Sequence, residues 1–379
     1  MSGVALQQLV PDYIRRFEAY IPSKPDPELK KLYGCDRLYR LNNNENCLGP
    51  PPEAQRIIQR FPPPAAAVYP SGDCYYLRTA LAETFGKHPD QFIVGNGANE
   101  VITCVIKTFC QQGDNIVTAD KTYAVYEWVA EFSGLEARLV PLKDFEFDDQ
   151  AMLERMDDRT KIAFVCNPNN PTGSYWDTER MRAFLDAVDG RRIVVVDEAY
   201  CEFVDQPDYP DGMSLMEDYP NLVVFRTFSK MYGLAGLRIG YLAGSPEVVQ
   251  TIRKTMTVYS VNVLAQEAAQ AAIRDAEHVE RTRSMVRQGK DFLGRELARM
   301  HLPVVVGEGN FMMVRLPISD TLAYRRLMAE GVMVRTMTGF RFPNCIRITL
   351  SRMEALEALV EALEKILKLP GLRNRKTAR

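Results

Sequence analysis

Between about residues 92 and 245, short apolar runs alternate with amphipathic stretches, and this alternation limits the fold more than any other property of the chain. The runs are Phe92-Ile93-Val94, Asn115-Ile116-Val117, Ile162-Ala163-Phe164-Val165, Ile193-Val194-Val195-Val196, Leu222-Val223-Val224-Phe225 and Ile239-Gly240-Tyr241-Leu242. Runs that are apolar on both faces predict strands covered by helices on each side. Helical spacing over residues 101–109, 123–132 and 181–188, the last opened by Asp177, supplies the covering layers. The expected sheet is therefore largely parallel.

A second region follows residue 259. Residues 262–274 and 279–300 read as helices, the latter long enough to bridge two lobes. After them strand and helix alternate over 311–316, 322–329, 332–335, 346–350 and 353–369, the pattern of a smaller α/β lobe. The first 45 or so residues carry Pro22, Pro25 and Pro27 and read as an arm rather than a lobe. The expected division is an arm over 1–46, a large domain over 47–275 and a small C-terminal domain over 276–379.

The composition excludes several classes. A formal net charge of -2 gives no electrostatic reason to expect nucleic acid or an anionic membrane as partner. No apolar run approaches the roughly 20 residues of a membrane span, and the opening Met1-Ser2-Gly3-Val4-Ala5-Leu6 lacks the features of a secretory leader, so a cytoplasmic location is expected. The 8 cysteines form no CxxC pair and the 3 histidines lie far apart, which points to neither a metal site nor a disulfide framework.

Four stretches carry chemistry. Gly95-Asn96-Gly97-Ala98-Asn99-Glu100 follows a strand and opens a helix, a place where free backbone amides receive phosphate. Glu100 stands where a dinucleotide fingerprint wants its third glycine, so that reading is weak. Asp197 ends a buried run, where α/β folds bind ligands; alone, it could equally cap the next helix. Asn167-Pro168-Asn169-Asn170-Pro171-Thr172-Gly173 is by itself a turn, but it follows a strand and precedes Asp197. Lys230 lies in Arg226-Thr227-Phe228-Ser229-Lys230, with the Thr227 and Ser229 hydroxyls beside it and Arg238 eight residues on. Together they offer an amine, a carboxylate, hydrogen-bond donors and a cationic cradle.

In this order the motifs resemble the fold type I enzymes that use pyridoxal 5'-phosphate, specifically the class I/II aminotransferases. The resemblance implies an α/β fold with a large, mostly parallel central sheet and a smaller C-terminal domain, against which the arm over 1–46 packs. It implies that Lys230 is the catalytic Schiff-base lysine, that Ala98, Asn99, Thr227, Ser229 and Arg238 bind the cofactor phosphate, and that Asp197 faces the pyridine nitrogen. Asn170 and Tyr200 would donate to the ring oxygen and Tyr123 would stack on the ring. Tyr69 matches a residue that reaches the partner's phosphate, which implies a homodimer. Arg347, in Cys345-Ile346-Arg347-Ile348-Thr349, matches the arginine that clamps a substrate carboxylate.

Within the superfamily the chain is most similar to the histidinol-phosphate aminotransferases, on Tyr20-Ile21-Pro22-Ser23-Lys24-Pro25, Leu41-Asn42-Asn43-Asn44-Glu45-Asn46 and Val334-Arg335. This implies that Tyr20, Asn46, Arg335 and Arg347 meet the substrate, with Arg335 on a phosphate, and that an amino group passes to a 2-oxo acid. Ser23, Cys47 and Leu350-Ser351-Arg352 depart from the subfamily pattern. A lyase or cyclase on the same scaffold, acting by decarboxylation or by elimination and cyclisation of a hydroxylated arginine, is the alternative.

Overall fold

The structure is a computed structural model and describes residues 6–18 and 24–368. Its strands, in chain order, are β1 (Tyr39–Leu41), β2 (Phe92–Gly95), β3 (Asn115–Ala119), β4 (Glu136–Val140), β5 (Thr160–Cys166), β6 (Ile193–Asp197), β7 (Leu222–Thr227), β8 (Gly240–Gly244), β9 (Val304–Val305), β10 (Phe311–Arg315), β11 (Val332–Thr336) and β12 (Cys345–Thr349). All six apolar runs of the sequence are strands.

The larger sheet has 7 strands in the order β2-β8-β7-β6-β5-β3-β4. β8 is antiparallel to both β7 and β2, while β3 to β7 pair in parallel, so β8 alone runs against the rest. The central strands are buried along their length and covered by helices such as Ala98–Phe109, Val125–Phe132 and Thr178–Val188. Asp177 caps the last of these by accepting a hydrogen bond from the Arg180 amide, as its place in the sequence predicts.

This connectivity positions the site. The carboxyl ends of β2, β3, β5, β6 and β7 lie on one edge of the sheet and deliver the loops that begin with Asn96, Asp120, Asn167, Glu198 and Phe228. The reversed β8 starts at that same edge, with Gly240 opposite Gly95 and Thr227. Its leading residue Arg238 therefore arrives beside the others.

The smaller sheet has 5 strands in the order β1-β11-β12-β10-β9, antiparallel except for β1 against β11. Helices Asp320–Ala329 and Met353–Ile366 cover it, and the 24-residue helix Ala276–Arg299 runs beside them from a cap at Asp275.

One expectation needs correction. The N-terminal stretch does not pack with the smaller sheet as a whole. Leu29, on the helix Asp26–Tyr33, packs with Met328 and Met333 of that lobe, and β1 joins its sheet. Residues 12–17 instead lie on the helix Val125–Phe132 of the larger sheet. There Phe17 meets Phe132 edge-on with centroids 5.6 Å apart, and a side chain on Gly134 would stand 3.0 Å from the Tyr13 ring. The aromatic side chains at 13 and 17 find their apolar surface there. Among the described residues no helix is long and apolar enough to cross a membrane.

Candidate active site

Lys230 follows the end of β7, half-buried, and its Nζ donates to the Asn43 carbonyl at 2.8 Å. Burial, then the nearby Arg347 guanidinium, brings the amine down to about 8 against the pull of Glu45. An amine so placed gives up its proton far more readily than a solvated lysine.

A cluster of hydrogen-bond donors lies at one end of this group. Gly97 caps the helix Ala98–Phe109 at φ 79, and the first N–H groups of that helix have no partner within it. A Cβ on Gly97 would stand 2.5 Å from Arg238 Nη2, so only glycine lets the guanidinium lie against the helix start. The Thr227 hydroxyl oxygen accepts from the Ser229 amide at 3.1 Å, which leaves its proton to donate outward. Arg238 donates to the Ala235 carbonyl at 3.1 Å and pairs with no carboxylate among the described residues. Amides, hydroxyls and a guanidinium thus converge. Glu100 does not intrude, because its carboxylate is held by the Asn96 amide and the Ser260 hydroxyl.

At the other end Asp197 is 3% exposed and makes no ion pair among the described residues. Burial pushes its carboxyl up, while the Tyr126 hydroxyl and the Ala199 amide donate to its two oxygens and hold it in one orientation. Tyr126 stacks on Phe164 at 4.7 Å and meets Tyr123 edge-on at 5.6 Å. The Tyr123 hydroxyl donates to Asn99 Oδ1 at 2.8 Å, tying the ring to the helix start. Burial raises the Tyr200 hydroxyl to about 12, so it remains a phenol that accepts from Asn44 Nδ2 at 2.9 Å. Its own proton is available to a ligand.

Arg347 projects from β12 and is 5% exposed. Its Nη1 donates to Asn170 Oδ1 and its Nη2 to the Asn42 carbonyl at 2.9 Å, while Nε is buried without a partner. Because the guanidinium takes the amide oxygen of Asn170, the NH2 of that side chain is the end left to donate. Burial and the neighbouring Arg335 bring Arg347 down to about 10. Arg335 faces it directly across the β11–β12 ladder. Arg335 has no ion pair among the described residues; its guanidinium lies 5.7 Å from the Phe340 ring centroid.

The structure thus brings together Ala98, Asn99, Tyr123, Asn170, Asp197, Tyr200, Thr227, Ser229, Lys230, Arg238, Arg335 and Arg347. Asn46 is turned away: its Nδ2 donates to the Met231 carbonyl at 2.8 Å and to Thr282 at 3.2 Å, and its Oδ1 accepts from the Leu48 amide. That geometry fastens the loop after Lys230 and leaves no direct part for Asn46 at a substrate. Tyr69 is 81% exposed, its ring tilted against that of Tyr259 with centroids 5.0 Å apart. Tyr20 lies outside the described residues.

Sequence reasoning missed Tyr126 and Asn44. The signal for Tyr126 was its spacing, three residues after Tyr123 at a helix start. For Asn44 it was the asparagine run itself, since Asn44 sits at φ 55, a conformation asparagine tolerates. Its amide N–H donates to Thr349 Oγ1 at 2.9 Å and its carbonyl accepts from Asn310, so the loop is stitched to the smaller sheet.

These residues fit pyridoxal 5'-phosphate: a helix start and a guanidinium brought so close that a Cβ on Gly97 would collide, a buried carboxylate without an ion pair among the described residues, two donors for a ring oxygen, and a readily deprotonated amine. Residues 37–363 match the family model for aminotransferase class I and II. A histidinol-phosphate aminotransferase of Anaeromyxobacter sp. is 38% identical over 95% of this chain and 99% of its own, and one from Moorella thermoacetica is 37% identical over 93% and 92%. Among solved structures, histidinol-phosphate aminotransferase from Sinorhizobium meliloti in complex with pyridoxal-5'-phosphate superposes with TM-score 0.84 at 26% identity, over 95% of this chain and 97% of its own. An aspartate aminotransferase double mutant from Thermus thermophilus, 22% identical with TM-score 0.82 over 97% and 100%, shares the fold. The chain belongs to the pyridoxal-phosphate-dependent class I and II aminotransferases.

Proposed function

We propose that the protein transfers an amino group between an amino alcohol phosphate of the histidinol phosphate type and a 2-oxo acid, with Lys230 as the covalent anchor of the cofactor and the catalytic proton carrier. The carrying observation is the Arg335–Arg347 pair, two guanidiniums on adjacent strands with no acidic side chain to neutralise either among the described residues. Side by side they repel, and a doubly charged anion relieves that repulsion. A phosphate monoester and a dicarboxylic oxo acid both have this charge, so one anion site can serve the two half-reactions in turn.

When bound, the cofactor supplies an acceptor for the electrons released as the amino-bearing carbon loses its proton. Asp197 keeps the ring nitrogen protonated, and Tyr126 with Ala199 keeps Asp197 aimed. Lys230 Nζ, with its lowered proton affinity, would take the proton from the amino-bearing carbon and hold it as an ammonium for return. Arg347 orients the substrate and, through Asn170, couples that orientation to the ring oxygen.

We also infer a homodimer, supported by the exposure of Tyr69 beside Tyr259, and a small domain beginning near residue 276, supported by the helix cap at Asp275. The test of the reaction is incubation with histidinol phosphate and 2-oxoglutarate, measuring glutamate. The proposal expects stoichiometric glutamate. No glutamate, with turnover of a hydroxylated basic amino acid when no oxo acid is present, would replace it with the lyase or cyclase chemistry.

A further inference from the structure

The hairpin that joins β11 to β12 carries Arg335 on one strand and Arg347 on the other, and its tip reaches the larger sheet through Arg341 and Phe342. Arg341, at the end of the short turn Thr338–Phe340, takes φ 61, a left-handed conformation that a long side chain rarely adopts. From there it donates Nη2 to Glu127 Oε1 at 2.7 Å, Nη1 to Oε2 at 3.0 Å and Nη1 again to the Asp120 carbonyl at 2.7 Å. Paired, two-pronged geometry of this kind fixes direction as well as distance. Glu127 is 16% exposed and stands in the first turn of the helix that follows Tyr123. Phe342 stacks on Phe145 at 6.1 Å from the same tip.

The residue before Arg341 is Phe340, whose ring stands 5.7 Å from the Arg335 guanidinium. Arg335 has no carboxylate partner among the described residues and faces a like charge, so this ring is the contact that opposes its displacement toward solvent. We propose that Glu127, acting through Arg341, is a positioning residue for substrate selection: the ion pair pins the hairpin tip so that Phe340 holds the Arg335 guanidinium toward the substrate's distal anion. This rests on the reading that Arg335 meets the phosphate. Loss of the Glu127 charge releases the tip, widens the range of Arg335 positions and weakens phosphorylated substrates selectively.

The test uses the holoenzyme and the ratio of kcat/KM for histidinol phosphate to that for unphosphorylated histidinol, in Glu127→Gln, Phe340→Leu and Arg335→Ala. Arg287→Ala is the control, since it removes different surface ion pairs, those of the long helix with Asp205 and Glu280. The expected result is a ratio lowered roughly fivefold in Glu127→Gln and in Phe340→Leu, through KM for the phosphorylated substrate, and unaltered in Arg287→Ala. Phe340→Leu preserves the ion pair, so it tests the contact with Arg335 should Glu127→Gln fold poorly. A ratio that falls in Arg335→Ala but holds in both other variants overturns the positioning role and spares the phosphate reading. An equal fall in Arg287→Ala overturns it too, as general loosening between the sheets. A ratio unmoved in Arg335→Ala removes the phosphate reading and this inference together.

Discussion

The residues proposed to hold the cofactor on the larger sheet all stand at strand ends, none farther than Asn99, Tyr123 and Asn170, each four positions past Gly95, Ala119 and Cys166. Arg335 and Arg347 of the smaller sheet, proposed to meet the substrate, stand inside strands and face each other because β11 pairs with β12. The first set presents donors left free at a helix start and at strand ends; the second sets two guanidiniums face to face, with no carboxylate partner among the described residues. On the proposed roles, the half that would fix a cofactor is built from local motifs, whereas the half that would select a substrate depends on tertiary pairing of strands.

The largest effect should come from the cofactor half. Lys230→Ala removes the amine that follows β7, and turnover should fall on the order of 10⁴-fold or more. Borohydride reduction followed by mass spectrometry should find no cofactor attached to a lysine in this variant. A persisting adduct would place the anchor elsewhere and break the comparison at its root.

Asp197→Asn should keep the fold and lose about 100-fold or more in kcat, because an amide cannot hold the ring nitrogen in its charged form. The thermal midpoint of the apoprotein should not fall, since the carboxylate is buried without an ion pair and burial works against its charge. Parental kcat in Asp197→Asn would separate Asp197 from the chemistry.

A smaller effect, on stability, follows from the amine itself. Its folded value is near 8 against an ordinary 10.5, so between those values the unfolded chain binds more protons than the folded one and the parent gains stability as pH rises. Lys230→Met should therefore stabilise the apoprotein below about pH 8, with the advantage fading as pH climbs from there toward 10.5. Denaturant titrations across that range check it; an advantage independent of pH would mean that the amine is not penalised by its surroundings.

The same contrast explains what the sequence could disclose. The six apolar runs were legible because central strands are apolar on both faces, and the motifs at their ends were legible because strand end, turn and helix start are local. β4 was not, since Glu136 and Arg138 place polar side chains on an edge strand and erase the apolar run. The packing of residues 12–17 on the larger sheet was hidden because short apolar positions do not name their partner. Asn46 looked like a substrate residue in a loop of asparagines; only the positions of Met231 and Thr282 reveal that its amide secures the Lys230 loop. Arg335 and Arg347 were legible as residues, but their facing each other without a counter-ion is a property of strand register.

The central claim, that the smaller sheet reads the distal anion while the larger sheet holds the cofactor, is tested most directly by one pair of readings on Arg335→Ala: the preference for histidinol phosphate over histidinol, and the dissociation constant of pyridoxal phosphate. Loss of a charged contact of about 1.5–3 kcal/mol predicts that the preference drops by roughly 10- to 100-fold while the cofactor constant stays at the parental value. An unchanged preference, or a loss of cofactor affinity that accounts for the whole effect, would contradict the account.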